Sequence, residues 1–524
     1  DGATPLFVAA KTNSIDSLRT LVEARANVDQ SAQGGLTPVC VAAQANKSEA
    51  ILELALARAN LETPRLDGAT PVFVAVMANN AGALYQLVLA QANVNIKAKD
   101  GATPLHMAVM DNSAEIVQLL ARGNADVNQV AGGSVTPSFT AAQLNAAEAL
   151  EQLVLAKADL DQADKYGISP AFVAAKNNSS QAFQVLMASR ADVNRANKGG
   201  TSPFLVALRN KNTEIIQQLV LAGARVNQAN KEGIAPVFWA AQHNYADELQ
   251  QLLLARANVN QASKSGATPV AVASYSNSAE AINLLASARA NIDQSNRTGS
   301  SPACVAAQMD SSKALRQLLL AKADIEKPNN NGSAPVYLAV QYNSLSALQL
   351  LLQAKAKVSC TNKEGATPLH VAAADDNLQA VHALLSARAN ANEQNRAGAT
   401  PLFLAAKHSS METLSHLLMA RADVNRPIDI GYTPLYIAAR TGSSDAIQQL
   451  LLARANVDPA TELWMDGQLQ DAAAKQHADV AGCAQAGSMQ DSESSTPAAR
   501  DWQLAPTAAM LRSCFEKKPA RPNL

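Results

Sequence analysis

Residues 100–132 read DGATPLHMAVMDNSAEIVQLLARGNADVNQVAG, and this stretch decides the fold. Asp100-Gly101 is a turn signal. Thr103 then precedes Pro104, which is how a helix starts: an oxygen-bearing cap, then a proline whose missing N–H falls where a helix leaves such groups unpaired anyway. Leu105, Ala108 and Val109 give a short first helix an apolar face, and Asn112 stops it. Ala114 to Ala121 form a second helix, with Ile116, Val117, Leu119 and Leu120 at helical spacing. Asn124-Ala125-Asp126-Val127-Asn128 leads out into the next turn. Neither helix can bury its apolar face alone, so neighbouring copies of the unit must stack.

Such copies are present. Pro5, Pro38, Pro71, Pro104, Pro137, Pro170, Pro203, Pro236, Pro269, Pro302, Pro335, Pro368, Pro401 and Pro434 fall at an unbroken 33-residue interval. A period of 20–50 residues marks a solenoid, which offers a long surface rather than an enclosed pocket. We number the repeats 1 to 14 by these prolines. The array covers residues 1–462. Residues 463–484 read as a degenerate capping helix with one polar side, and the Ser- and Ala-rich residues 485–524 as a mostly disordered tail.

The unit resembles the ankyrin repeat in its run of Gly, Thr-Pro-Leu-His, Ala-Ala, a turn residue, Leu-Leu and Ala-Asp-Val-Asn. Thr103-Pro104-Leu105-His106 and Thr367-Pro368-Leu369-His370 carry its signature intact. The resemblance implies an all-α ankyrin-repeat solenoid: a curved stack of helix-turn-helix units with β-hairpin fingers and a concave face. It also implies a non-catalytic protein-interaction scaffold or adaptor.

Composition is consistent with this reading. Hydrophobic residues make up 48% and aromatics 4% of the 524 residues, which suits small, tightly packed helices. The formal net charge of −1 gives no global bias toward nucleic acid or anionic membrane, and no apolar run is long enough to span a bilayer. Cys40 and Cys304 share one register eight repeats apart, beyond disulfide reach. With Cys360, Cys483 and Cys514 they read as reduced thiols of a cytoplasmic protein. The chain opens inside a repeat without Met, so a fragment of a longer protein is expected.

Three departures from the family pattern stand out. The His slot holds His only at His106 and His370; elsewhere it holds Phe7, Cys40, Phe73, Phe139, Phe172, Leu205, Phe238, Ala271, Cys304, Tyr337, Phe403 or Tyr436, so apolar packing is expected to replace its hydrogen bond. The turn between the helices takes Asn in nine repeats, Asn13 and Asn46 among them; Asn tolerates the left-handed conformation. The glycine after the second helix survives only as Gly223, with Arg or Lys there in 11 repeats, from Arg25 to Arg454. Retaining left-handed geometry at those residues would cost about 1 kcal/mol each, offset by some tenths through the helix dipole.

Finger tips and first helices line the recognition face in this family. Two residues before the tip glycine the chain is basic at Lys99, Lys165, Lys198, Lys231, Lys264, Arg297, Lys363 and Arg396. On the first helices, the residue after the Ala-Ala pair is basic at Lys11, Lys176, Arg209, Lys407 and Arg440. Tyr166, Tyr275 and Tyr342 could add aromatic anchors. This set can receive a protein partner bearing an acidic peptide or patch, or it can simply keep exposed edges soluble. Residues 165–300 are the expected contact zone. Nucleic acid is disfavoured, for want of net charge or a groove-reading module. No phosphate loop, metalloprotease helix or nucleophile elbow occurs, so no enzyme, metal or cofactor is expected. Two other readings stay open: the binding arm of a larger enzyme, channel or signalling protein, and an elastic spacer.

Overall fold

A Thr or Ser ahead of the repeat proline caps the first helix in ten repeats by accepting the N–H two residues past the proline, as in Thr37 with Cys40 and Ser169 with Phe172, both at 3.2 Å. A cap of this kind contributes about 1 kcal/mol. The structure, a computed structural model, describes residues 2–98, 101–132 and 134–457. Among them are 28 α-helices, two per repeat; in repeat 4 these are Pro104–Met110 and Ala114–Arg122. First helices run seven or eight residues and second helices nine.

Two left-handed residues close every repeat. The turn after the first helix has φ between +50° and +72° in all 14 repeats, whether filled by Asn112, Lys211, Asp310 or Gly442. The position after the second helix has φ between +58° and +66°, so Arg25, Lys157 and Arg256 keep the geometry of the glycine they replace.

First helices pack on first helices and second on second, giving two layers with one core between them. The alanine four residues past each proline sits where the first helices meet; Ala42, Ala174 and Ala306 are fully buried. A larger side chain there would force the stack apart. The opposing layer contributes leucines such as Leu120, Leu153 and Leu186, all at 0% exposure. Each contributes roughly 1.5–3 kcal/mol by burial. Ion pairs add little: among the described residues there are two, Arg19–Glu53 and Arg65–Asp67, both near the amino-terminal end.

Side chains also bond across repeats. The oxygen of the left-handed turn residue accepts an N–H in the first turn of the next repeat's second helix: Asn13 takes that of Ala50, Asn145 that of Ala182 and Asp376 that of Thr413. The turn residue therefore supplies in trans the cap that the helix lacks locally. A second ladder runs along the loops, where Asp29, Asn128, Asn260 and their equivalents accept an N–H 31 residues on. It has twelve rungs and is broken at Ser359.

The His slot behaves differently from repeat to repeat. His370 accepts the Thr367 N–H at Nδ1 (3.1 Å), which leaves Nε2–H to donate to the Ala399 carbonyl of the next repeat at 2.9 Å. Cys304 keeps a weak version of that reach, its thiol meeting the Lys327 carbonyl at 3.4 Å. Phe73, Phe172 and Phe403 are buried and replace the bond with packing.

The array is one compact unit, Asp1–Val457. The capping helix expected at 463–484, the tail at 485–524, Cys483 and Cys514 lie outside the described residues. No helix among the described residues is long and apolar enough to cross a membrane.

Candidate interaction surface

The fingers are tight turns rather than strand pairs. In repeat 7, Gly200 N–H donates to the Asn197 carbonyl (2.8 Å) and Asn197 N–H to the Thr201 carbonyl (2.9 Å). The Asn197 side chain also accepts from the N–H groups of Gly199 and Thr201, both at 3.0 Å. Its amide oxygen thus does the pairing that a longer hairpin would do with strands. The one isolated β-bridge among the described residues joins Ala131 and Val135.

Six of the basic finger residues are fixed by their backbone to the finger before. Lys198 N–H donates to the Tyr166 carbonyl (3.0 Å), Lys231 to Gly199 (3.3 Å), Lys264 to Glu232 (3.0 Å) and Arg297 to Ser265 (3.4 Å). Lys363 and Arg396 repeat this with Asn331 and Glu364, both at 2.9 Å. The tip glycine makes the approach possible: Gly200 has φ +79°, and a Cβ there would lie 2.8 Å from the Lys231 nitrogen. The row of cations is therefore in register by hydrogen bonding. Lys165, Lys198, Lys231, Lys264, Arg297, Lys363 and Arg396 are all exposed, and neither of the two ion pairs involves them. The row is not purely cationic, since Glu232 and Glu364 follow Lys231 and Lys363 in their turns. Lys99 lies outside the described residues.

On the first helices Lys176 and Arg209 are exposed as expected. Tyr166, Tyr275 and Tyr342 are 59%, 44% and 38% exposed. Tyr166 lies under the ammonium of its neighbour Lys165, 5.0 Å from the ring centre. Tyr342 belongs to repeat 11, beyond the repeats that carry the run from Lys165 to Arg297.

Sequence reasoning missed a cluster in repeats 7 and 8. The Arg209 guanidinium sits 5.1 Å over the Trp239 ring and the Lys211 ammonium 4.3 Å over Tyr245. His243 stacks on Trp239 at 4.3 Å and lies 5.4 Å from Tyr245. The one sequence signal was Trp239 itself, at a first-helix position where Val74, Val173, Val206 and Val272 serve elsewhere.

No group of three or more His, Cys, Asp or Glu side chains among the described residues could hold a metal ion. Burial pushes the Cys360 thiol up to about 11 and raises those of Cys40 and Cys304, which favours the unreactive thiol form. The hollow between the ends of two second helices, lined by Gln118, Arg122, Gln152 and Leu155, is open to solvent.

A solenoid of stacked helix pairs with bonded turn fingers defines a repeat protein whose working part is its surface. The family model for ankyrin repeats in three copies matches residues 39–131, 138–230, 204–296, 237–329, 303–395 and 369–462, and that for a single ankyrin repeat matches residues 1–32. The chain belongs to the ankyrin-repeat family. Ankyrin repeats are generally protein–protein interaction modules. No curated protein matches the chain.

Proposed function

We propose that this chain is a non-catalytic protein-interaction scaffold whose finger and first-helix face, over repeats 6 to 10, receives an acidic peptide or an acidic patch on a folded partner. The observation that carries the reading is the locked cationic row. Backbone bonds fix Lys198, Lys231, Lys264 and Arg297 in register while their side chains stay exposed and outside the array's ion pairs. A complementary row of carboxylates meets several charges at once, which favours encounter rate and register more than raw affinity. The free, buried thiols of Cys40 and Cys304 fit a reducing, cytoplasmic setting.

The test compares the wild-type chain with one carrying Lys165→Glu, Lys198→Glu, Lys231→Glu, Lys264→Glu and Arg297→Glu, each immobilised and exposed to native lysate. The finger bonds use backbone N–H groups, so the variant keeps its fold, which circular dichroism checks. Acidic partners retained by the wild type and absent from the variant are expected. The same proteins on both would sink the reading.

A further inference from the structure

Resting on the protein-binding reading, we propose that repeats 7 and 8 carry a pre-ordered anchor for an acidic segment of the partner, built from Arg209, Lys211, Trp239, His243 and Tyr245. The five side chains form one continuous stack. Arg209 contacts Trp239, Trp239 contacts His243, His243 contacts Tyr245, and Tyr245 contacts Lys211, with separations between 4.3 and 5.4 Å. The rings are thus engaged by the protein's own groups, and both ends of the stack are cations. Arg209 and Lys211 are exposed and outside the array's ion pairs. Glu214 and Asp247, in the first turns of the adjoining second helices, do not neutralise them through an ion pair. What the stack offers a ligand is two sets of N–H donors.

The arrangement lowers the cost of binding. Ordering a long side chain at an interface costs rotamer entropy, and for these two cations the rings meet part of it in the free protein. His243 is held as well, its Nδ1 lying 3.0 Å from the Trp239 carbonyl. The stack is not needed for repeat packing, because valine fills the Trp239 position in neighbouring repeats. It leaves the indole Nε1–H covered and without an acceptor among the protein's own groups, which asks for an explanation beyond folding. Arg, Trp and Tyr are the residues that dominate interface energetics. A short acidic protein segment fits two adjacent cations better than a nucleic acid does, since the chain's net charge of −1 gives little of the extended phosphate neutralisation that nucleic-acid binding needs.

Trp239 is also the reporter. The chain has three Trp; with Trp464→Phe and Trp502→Phe in the full chain, emission comes from Trp239 alone. The probe is a labelled ten-residue Glu-rich peptide, followed both by Trp239 emission and by its own anisotropy, with a single-stranded oligonucleotide of equal charge as a second arm. A saturable change in emission that follows the anisotropy is expected, with Arg209→Gln and Lys211→Gln together weakening binding tenfold or more. Neutralising Lys198, Lys231, Lys264 and Arg297 to Gln should weaken binding yet leave the emission change at saturation intact. If anisotropy saturates while Trp239 emission stays flat, the anchor is overturned and the scaffold reading stands. If neither responds, both fail. A tighter response to the oligonucleotide overturns the acidic protein segment as the ligand.

Discussion

Arg256 sits at φ +59°, where a side chain normally costs free energy. The magnitudes explain why Arg or Lys can stand where the family uses glycine. Left-handed geometry costs an L-residue about 1–2 kcal/mol. Glycine there would instead cost about 0.4–1 kcal/mol through the freer unfolded chain. A cation at the helix C-terminus recovers about 0.3–1 kcal/mol. The terms nearly cancel, so Arg256→Gly should change stability by less than about 1 kcal/mol. Arg256→Val should cost roughly 1–2 kcal/mol more, because a branched side chain tolerates the region worst; urea midpoints of the two variants check this. At His370 burial holds the imidazole pKa below its ordinary value. The unfolded chain therefore binds the proton more readily than the folded one, and the stability present above the unfolded pKa of about 6.5 falls as pH drops through it. His370→Phe, the residue repeat 13 uses as Phe403, should lose less melting temperature between pH 7.5 and 5.5 than the wild type. An equal loss in both would remove His370 as a cause of acid sensitivity.

At the scale of elements, the helix pairs were legible in sequence because their causes are local. Thr103-Pro104 starts a helix, Asn112 turns it, and Leu119-Leu120 marks the buried side of the next, all within one repeat. The fingers were expected as β-hairpins and are tight turns, because side-chain oxygens such as that of Asn197 pair with the backbone where strands would; the spacing of the finger lysines placed them in one row. The two ladders of bonds between repeats were not legible, since their rungs join residues 37 or 31 positions apart and depend on the register of stacking. The Asn turns were read as backbone devices only, whereas eight turn residues, including Asp310 and Asp376, also cap the next repeat's helix. The stack around Trp239 escaped for the same reason, its members coming from two repeats. Ser359 gives this scale its prediction. It occupies the loop position where Glu326 and Asn392 each hold a rung, to Lys357 and Asp423 respectively, and no such rung reaches Asn390. Ser359→Asp supplies the missing acceptor and should stabilise repeats 11 and 12 by about 0.5–1.5 kcal/mol, read as slower amide exchange at Asn390. Unchanged exchange would show that the rung does not form.

The whole array presents two contrasting surfaces. One is the cationic finger row with the stack of repeats 7 and 8. The other is a line of apolar residues near the ends of the second helices, with Leu221, Leu254 and Leu452 exposed by 87%, 84% and 85%. Exposed apolar rows are themselves a common mark of association, so this line is the natural rival of the finger face. In a solenoid each repeat touches only its neighbours, and a partner can engage one surface without altering the other. Site-specific photo-crosslinking decides between them most directly. A benzophenone side chain is placed in turn at Lys231, Tyr275, Leu221 and Leu254 of the full chain, and each variant is irradiated with the partner captured by the wild type. Adducts from Lys231 and Tyr275, with none from Leu221 or Leu254, are the predicted result. Adducts confined to Leu221 and Leu254 would contradict the assignment of recognition to the finger and first-helix face.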